Sequence, residues 1–432
     1  MKKLIKIRNV AICSILAVSM LSGCAEANST SNDTSESKET QIMPSEDKNE
    51  STYNKDIVNT EFDKTLIDFV NNAGFAEQNY MVSPTSFRAA LALAVAGADT
   101  QTKEELIHAM GFNDMNEVNA WYNSVTEIIS EFDSDISAIK ANFEEEKEWL
   151  PDDAQEPDGA LIMLNSIWNN TDLNGRFGKD YLEYVKKNYS AEANDVTSKD
   201  ITQKVNSWVN DGTNGLIPTI SNDLSYANAV LVNTLYLKSS WINCFEDYCT
   251  SSGTFTTLGG EKVQKDFMKQ QEHFRYYEDS KGKLVVLPLN GGIDAIFVLG
   301  DITDLQSALS KTSYEDVIVQ LPKFEVETSL SKNELIDFLK EQGAALAFTN
   351  DADFSVMCPD TAWLISDIIQ KTKIKVDEDG LEAAAATAII AVEGAALEEI
   401  MPKEFIANEP FKFFICAGDE DCEMLFCGQI VE

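Results

Sequence analysis

The sequence predicts one large α+β domain, and three observations support that class. Segments with helical apolar spacing gather early in the chain, strand-type runs gather late, and no internal repeat imposes a regular strand–helix alternation. Residues 57–70 carry apolar side chains at helical spacing and end in a turn of Asn71, Asn72, Ala73 and Gly74. Residues 86–95 read as a continuously apolar, buried helix. Residues 102–110 read as a second, with Thr102 as its cap and Glu105 three positions on. The stretch 142–158 is acidic, holds Pro151 and Pro157, and reads as a solvated insertion with a short helix of its own.

Strands are expected over 161–168, 230–237, 284–287, 295–299 and 317–321, each bounded by Gly, Asn or Asp. Helices over 201–209 and 332–342 fall between them, and 411–416 with 424–431 reads as a closing hairpin.

The chain has 432 residues, and its first 23 read as an export signal: Lys2, Lys3, Lys6 and Arg8 precede an apolar run at 10–21 that is short for a bilayer span. Leu21, Ser22, Gly23 and Cys24 have the spacing of a bacterial lipobox, in which the cysteine receives a diacylglycerol and becomes the new N-terminus. The alternative is an ordinary signal peptide with an incidental cysteine. Two or more acyl chains make a stable tether, so Cys24 implies an exported, cell-surface lipoprotein. Residues 24–55 are rich in Ser, Thr, Asn, Glu and Lys, cannot bury enough apolar surface to order themselves, and read as a flexible stalk. Residues 56–432 remain, enough for a single domain with a sizeable core.

Formal charge is -38, and removal of the four cations at 2, 3, 6 and 8 takes the mature chain to -42. Such a balance argues against nucleic acid and glycosaminoglycan partners and favours cationic proteins, although it also serves plain solubility. Beyond Cys13 and Cys24, the cysteines at 244, 249, 358, 416, 422 and 427 fit no zinc spacing, and only His108 and His273 could serve as imidazole ligands. No metal and no cofactor are expected, and contact with the membrane is expected only through the lipid.

A series of short motifs then falls in a known order. Asn79, Ser83, Pro84 and Ser86 form Asn-x-x-x-Ser-Pro-x-Ser, followed by Gly97 and Ala98. Asn206, Trp208 and Val209 lead to Thr213, Gly215 and Ile217; Leu231, Asn233 and Tyr236 precede Trp241 and Phe245. Leu321, Pro322, Lys323 and Phe324, then Ala352 to Ser355, then Pro410 and Phe411 complete the order. From about Phe62 onward the chain resembles the serpins. The resemblance implies three mainly antiparallel β-sheets, eight to nine helices and an exposed reactive-centre loop at about 378–404.

Glu378, Gly380, Leu381, Glu382, Ala383, Ala384, Ala385, Ala386 and Thr387 are similar to the hinge of an inhibitory reactive loop. By propensity alone this alanine run is a helix. The resemblance implies instead a segment that enters the main sheet as a new strand after cleavage, for which small uncharged side chains offer little resistance. The implied partner is a serine protease, held as a covalent acyl-enzyme by a monomeric inhibitor that performs no catalysis of its own.

Ser83, Ser86 and Asn233 match a polar cluster beneath the sheet, with Gln370 where many members carry His. Trp241, Lys323 and Glu378 match the sheet's upper opening, with Lys323 and Glu378 as an ion pair. Counting sixteen residues on from Glu378 puts the scissile bond between Gly394 and Ala395, with neighbours Val392, Ala396 and Leu397; counting back from Phe405 and Pro410 points near Glu399 and Ile400. No Lys or Arg lies between Glu378 and Lys403, so a trypsin-like target is disfavoured and elastase-like or subtilisin-like proteases fit the small apolar window. Leu397 and Met401 leave chymotrypsin-like enzymes open.

Leu381 stands where inhibitory members usually have Thr or Ser; its apolar side chain can bury well, but its bulk is expected to slow entry into the sheet and raise the fraction cleaved without trapping. It is the feature that favours the rival reading, a non-inhibitory serpin acting as a surface binding protein. An exported hydrolase is the other rival, and two histidines outside any nucleophile-elbow setting give it little support.

Overall fold

The computed structural model describes residues 55–150, 156–330, 332–381, 401–417 and 423–432. Eight α-helices lie among them: α1 (Lys55–Val70), α2 (Pro84–Gly97), α3 (Thr100–Ala109), α4 (Met115–Glu146), α5 (Lys179–Tyr189), α6 (Ile201–Gly212), α7 (Leu305–Leu309) and α8 (Lys332–Glu341). The strands are β1 (Tyr80–Val82), β2 (Ala160–Asn170), β3 (Glu192–Val196), β4 (Ala229–Ser240), β5 (Ser251–Thr256), β6 (Lys262–Glu278), β7 (Gly282–Leu289) and β8 (Ile293–Gly300). They continue as β9 (Ser313–Pro322), β10 (Phe324–Leu330), β11 (Asp367–Val376), β12 (Gly380–Leu381), β13 (Lys403–Ile406), β14 (Phe411–Ala417) and β15 (Glu423–Ile430).

The expected α+β class holds. Every residue of α2 is buried, with Ser83 as N-cap and Pro84 in the first turn, where its missing N–H costs nothing. At α3 the expected cap is corrected. Asp99 caps the helix by accepting from the Thr100 amide at 2.9 Å, and Thr102 accepts from the Asp353 amide instead. The short helix expected inside 142–158 is corrected too: α4 runs unbroken for 32 residues into that segment and ends in a 3₁₀ turn, Lys147–Trp149. Its buried stripe of Val118, Trp121, Tyr122, Val125, Phe132 and Ile136 explains the length, because one apolar face lies along the body while the last turns stay solvated.

The strands form two hydrogen-bonded sheets where three were expected. The 17-residue β6 pairs β9 from Phe267 to Tyr276 and β7 from Arg275 to Glu278, so the strands outside the main sheet join into one sheet of nine. The main sheet has the order β10-β11-β12-β4-β2-β3. Its centre, β4, is buried on both faces: Val230 and Val232 pack under α6 with Val205 and Val209, while Leu235 and Leu237 face the core between the sheets.

Candidate functional site

The site is the gap between β4 and β11. These two strands run parallel and pair directly at four positions, 230–233 with 367–370. Beyond Asn233 and Gln370 no rung joins them among the described residues, until β12 stands between them at the other end. There Leu381 lies opposite Ser239 on β4 and Val376 on β11, and Gly380 lies opposite Ser240.

The directly paired end is held by the four polar residues singled out for a cluster, and the structure brings all four together. Ser86 donates to Asn233 Oδ1 at 2.8 Å, and Gln370 Nε2 donates to the same oxygen at 2.9 Å and to the Ser83 carbonyl at 2.8 Å. The Ser83 amide donates back to Gln370 Oε1 at 3.0 Å. All four residues are buried. Gln370 therefore fills a histidine's place through its own donor and acceptor, tying α2 to both strands.

The other end is a tight turn, 377–380, gripped by the segment that follows β4. Trp241 Nε1 donates to the Asp377 carbonyl at 2.9 Å, the Trp241 amide to the Asp379 carbonyl at 3.0 Å, and the Phe245 amide to the Glu378 carbonyl at 3.0 Å. Lys323 pairs with Glu378 at 2.5 Å, and Thr250 donates to the other carboxylate oxygen at 2.7 Å. Burial pushes the Glu378 carboxyl up, but the bonds from Lys323 and Thr250 outweigh it and hold the group below its usual range.

Asp379 has the opposite balance. Burial and the neighbouring carboxylates of Asp377, Asp247 and Glu378 push it up to about 6, against the opposing charge of Lys323. Gly380 adopts φ +147°, and a Cβ there would run into the Ser239 carbonyl, so only glycine closes this turn.

Leu381 requires a correction. The sequence expectation has its bulk slowing entry into the sheet, but the structure places it inside already, fully buried in the core that holds Trp241, Leu237 and Val376. Its apolar surface is what holds it there. Glu382, Ala383, Ala384, Ala385, Ala386, Thr387, Val392, Gly394, Ala395, Ala396, Leu397 and Cys24 lie outside the described residues. The chain resumes at Met401, which is 85% exposed, and β13 then pairs β9 in parallel.

Sequence reasoning placed Trp241 at this end of the sheet but missed Thr250 and Asp379. The consecutive acids Asp377, Glu378 and Asp379 before Gly380 were the available signal. Among the described residues no group of three or more His, Cys, Asp or Glu is placed to hold a metal ion.

Two parallel central strands, joined directly at one end and parted at the other by the two-residue strand β12, characterise the main sheet of this fold. The chain belongs to the serpin family: residues 58–432 match the model described as Serpin (serine protease inhibitor). Members of this family are generally inhibitors of serine proteases and not catalysts.

The chain is 29% identical over 380 residues to an uncharacterized serpin-like protein of Methanosarcina acetivorans, covering 82% of this chain and 81% of that one. To human Serpin B4 it is 28% identical, covering 82% of this chain and 93% of that one. Among solved structures, Serpin48 of the insect Tenebrio molitor superimposes with a TM-score of 0.69 at 25% identity, covering 89% of this chain and 99% of that one. Thyroxine-binding globulin in complex with thyroxine shares the fold, with a TM-score of 0.70 at 22% identity over 88% of this chain and 99% of that one.

Proposed function

We propose that this serpin traps serine proteases of small apolar specificity by inserting its cleaved loop between β4 and β11. The supporting observation is a register. Leu381 pairs with Ser239 and with Val376, which fixes how any continuation of β12 must lie. Continued without a slip, Glu382 and the four alanines at 383–386 fall beside positions 238–234 and 375–371, and Thr387 falls beside Asn233 and Gln370. Asn233 and Gln370 are themselves paired with each other, so the two registers agree and the new strand fits without shear. Residues 383, 385 and 387 share the inward face of Leu381, where only small or hydroxylated side chains follow it.

The protease's serine attacks the bait carbonyl and the new amine leaves with a proton from the protease's own base, so an ester tethers protease to loop. Insertion then carries that ester away before water resolves it. The window 391–397 is small and apolar apart from Glu393, and no cation lies between Glu378 and Lys403, which suits elastase-like or subtilisin-like pockets. The hinge count favours the bond between Gly394 and Ala395.

Mixing residues 56–432 with an elastase-type protease is expected to give a band of summed mass that survives boiling in detergent. The released C-terminal peptide, weighed by mass spectrometry, is expected to begin at Ala395. A cut loop with no persistent complex across elastase, subtilisin and chymotrypsin would overturn the inhibitory reading.

A further inference from the structure

A cavity of about 480 Å³ opens between α4, the β7–β8 turn and the sheet of β6 and β9. Its volume is that of a small-molecule site. One face of α4 supplies Asp135, Ala138, Ile139 and Asn142, spaced i, i+3, i+4, i+7. The space arises from how the turn meets the helix. Gly291, at φ +80°, lets the turn press so close to Phe132 that a Cβ would run into the ring. Nearly two helical turns further on, the small Ala138 leaves the gap unfilled.

The wall is mixed: Phe274, Leu289 and Ile293 are buried in it, and Asn142, His273 and Asn290 line it beside them. Arg275 is already engaged, pairing with Asp294 at 3.4 Å and donating to Thr312 at 3.2 Å. Asp135 stands exposed at the rim, its Oδ2 4.0 Å from where a Gly292 Cβ would be, and no hydrogen bond or ion pair engages it among the described residues. The uncompensated charge at the cavity is therefore negative, on a chain of net charge -38.

We infer that this cavity binds an amphipathic amine, with the apolar body inside and the ammonium on Asp135. Charge complementarity selects the cation. The site also touches the hinge machinery. The Ile242 amide donates to the Pro288 carbonyl at 3.0 Å, the Asn290 amide to the Ser240 carbonyl at 2.9 Å, and Ser239 Oγ to the Asn290 carbonyl at 2.8 Å. Trp241 bridges Leu289 in the same way. The cavity wall is thus bonded to the residues that grip Gly380 and Leu381, and occupancy steadies that end of β4. None of this depends on protease inhibition.

The test is calorimetry on the full chain with tryptamine, and with indole-3-propionate as the charge-reversed probe. Tryptamine is expected to bind, to weaken about tenfold in Asp135→Asn, and to be lost in Ala138→Trp, which fills the space from an exposed helical position. No binding of tryptamine, equal binding of the acid, or binding unaltered by either substitution would overturn the site. Should Ala138→Trp fold poorly, Asp135→Asn with the charge-reversed probe decides alone. Hydrogen exchange at 240–242 is expected to slow when tryptamine saturates the protein, and unchanged exchange would overturn the link to the hinge.

Discussion

Leu381 holds its place by burial: its side chain is sealed between two strands and makes no polar bond there. Leu381→Thr removes apolar area and buries a hydroxyl, which costs about 1–3 kcal/mol. The expected outcome is a lower urea midpoint for the uncut protein and faster hydrogen exchange at 380–381, with inhibition stoichiometry unchanged because no entry step remains for this residue. An unaltered midpoint would mean that Leu381 does not anchor the hinge.

Asp379 gives the hinge a pH dependence whose sign follows from its environment. Its folded pKa, pushed up to about 6, lies above the ordinary value of 3.8, so the protonated form is the one the fold prefers. Stabilisation from this group is fully present below pH 4 and is lost as pH rises through 6. The stability difference between the wild type and Asp379→Asn, measured across pH 4 to 7, is expected to track that window, and a flat difference would remove Asp379 from the account. The hinge was legible as a motif because its residues are contiguous. Its insertion was not, because the pairing of Leu381 with Ser239 is a fact of tertiary register. The Asp379 shift was hidden for the same reason, since Asp247 comes from a distant part of the chain.

At the scale of elements, legibility followed burial. β4 and α2 were plain in the sequence because both are buried on all sides and read as continuous apolar runs. β6 was not, because exposed and buried residues follow one another irregularly over its 17 residues, and α4 was not, because its single stripe fades into an acidic solvated end.

The element that matters most for function is the closed end of the main sheet, where β4 and β11 meet at four rungs above α2. Asn233 accepts there from both Ser86 and Gln370. Asn233→Ala leaves two buried donors without that acceptor, at about 1–3 kcal/mol each. The variant is expected to unfold at lower temperature and to exchange the amides of Val232 and Gln370 faster. Wild-type exchange at both positions would show that the cluster does not hold the strands together.

For the whole molecule, family and class were readable from the order of motifs along the chain, and what the fold adds is the state of its main sheet. Among the described residues, only Leu381 is paired on both sides between β4 and β11, with Gly380 paired to β4 beside it. On the proposed mechanism, a cut near Gly394 would let the segment after Leu381 extend that pairing, and to reach the far end of β4 it would have to part the four direct rungs at 230–233 and 367–370. Each inserted residue exchanges bonds to water for bonds to two strands, and the alanines add no charge to desolvate. The four rungs that break are replaced on both flanks, so the sheet gains a strand and loses no pairing. The proposed mechanism therefore makes the cut protein the more stable form. A protease that nicks the loop without forming a complex, followed by calorimetric melting, is expected to yield a species that unfolds more than about 10 °C above the uncut protein. Equal melting before and after the cut would mean that the loop stays outside the sheet. The trapping mechanism would then lack its driving force, whatever band the protease mixture had given.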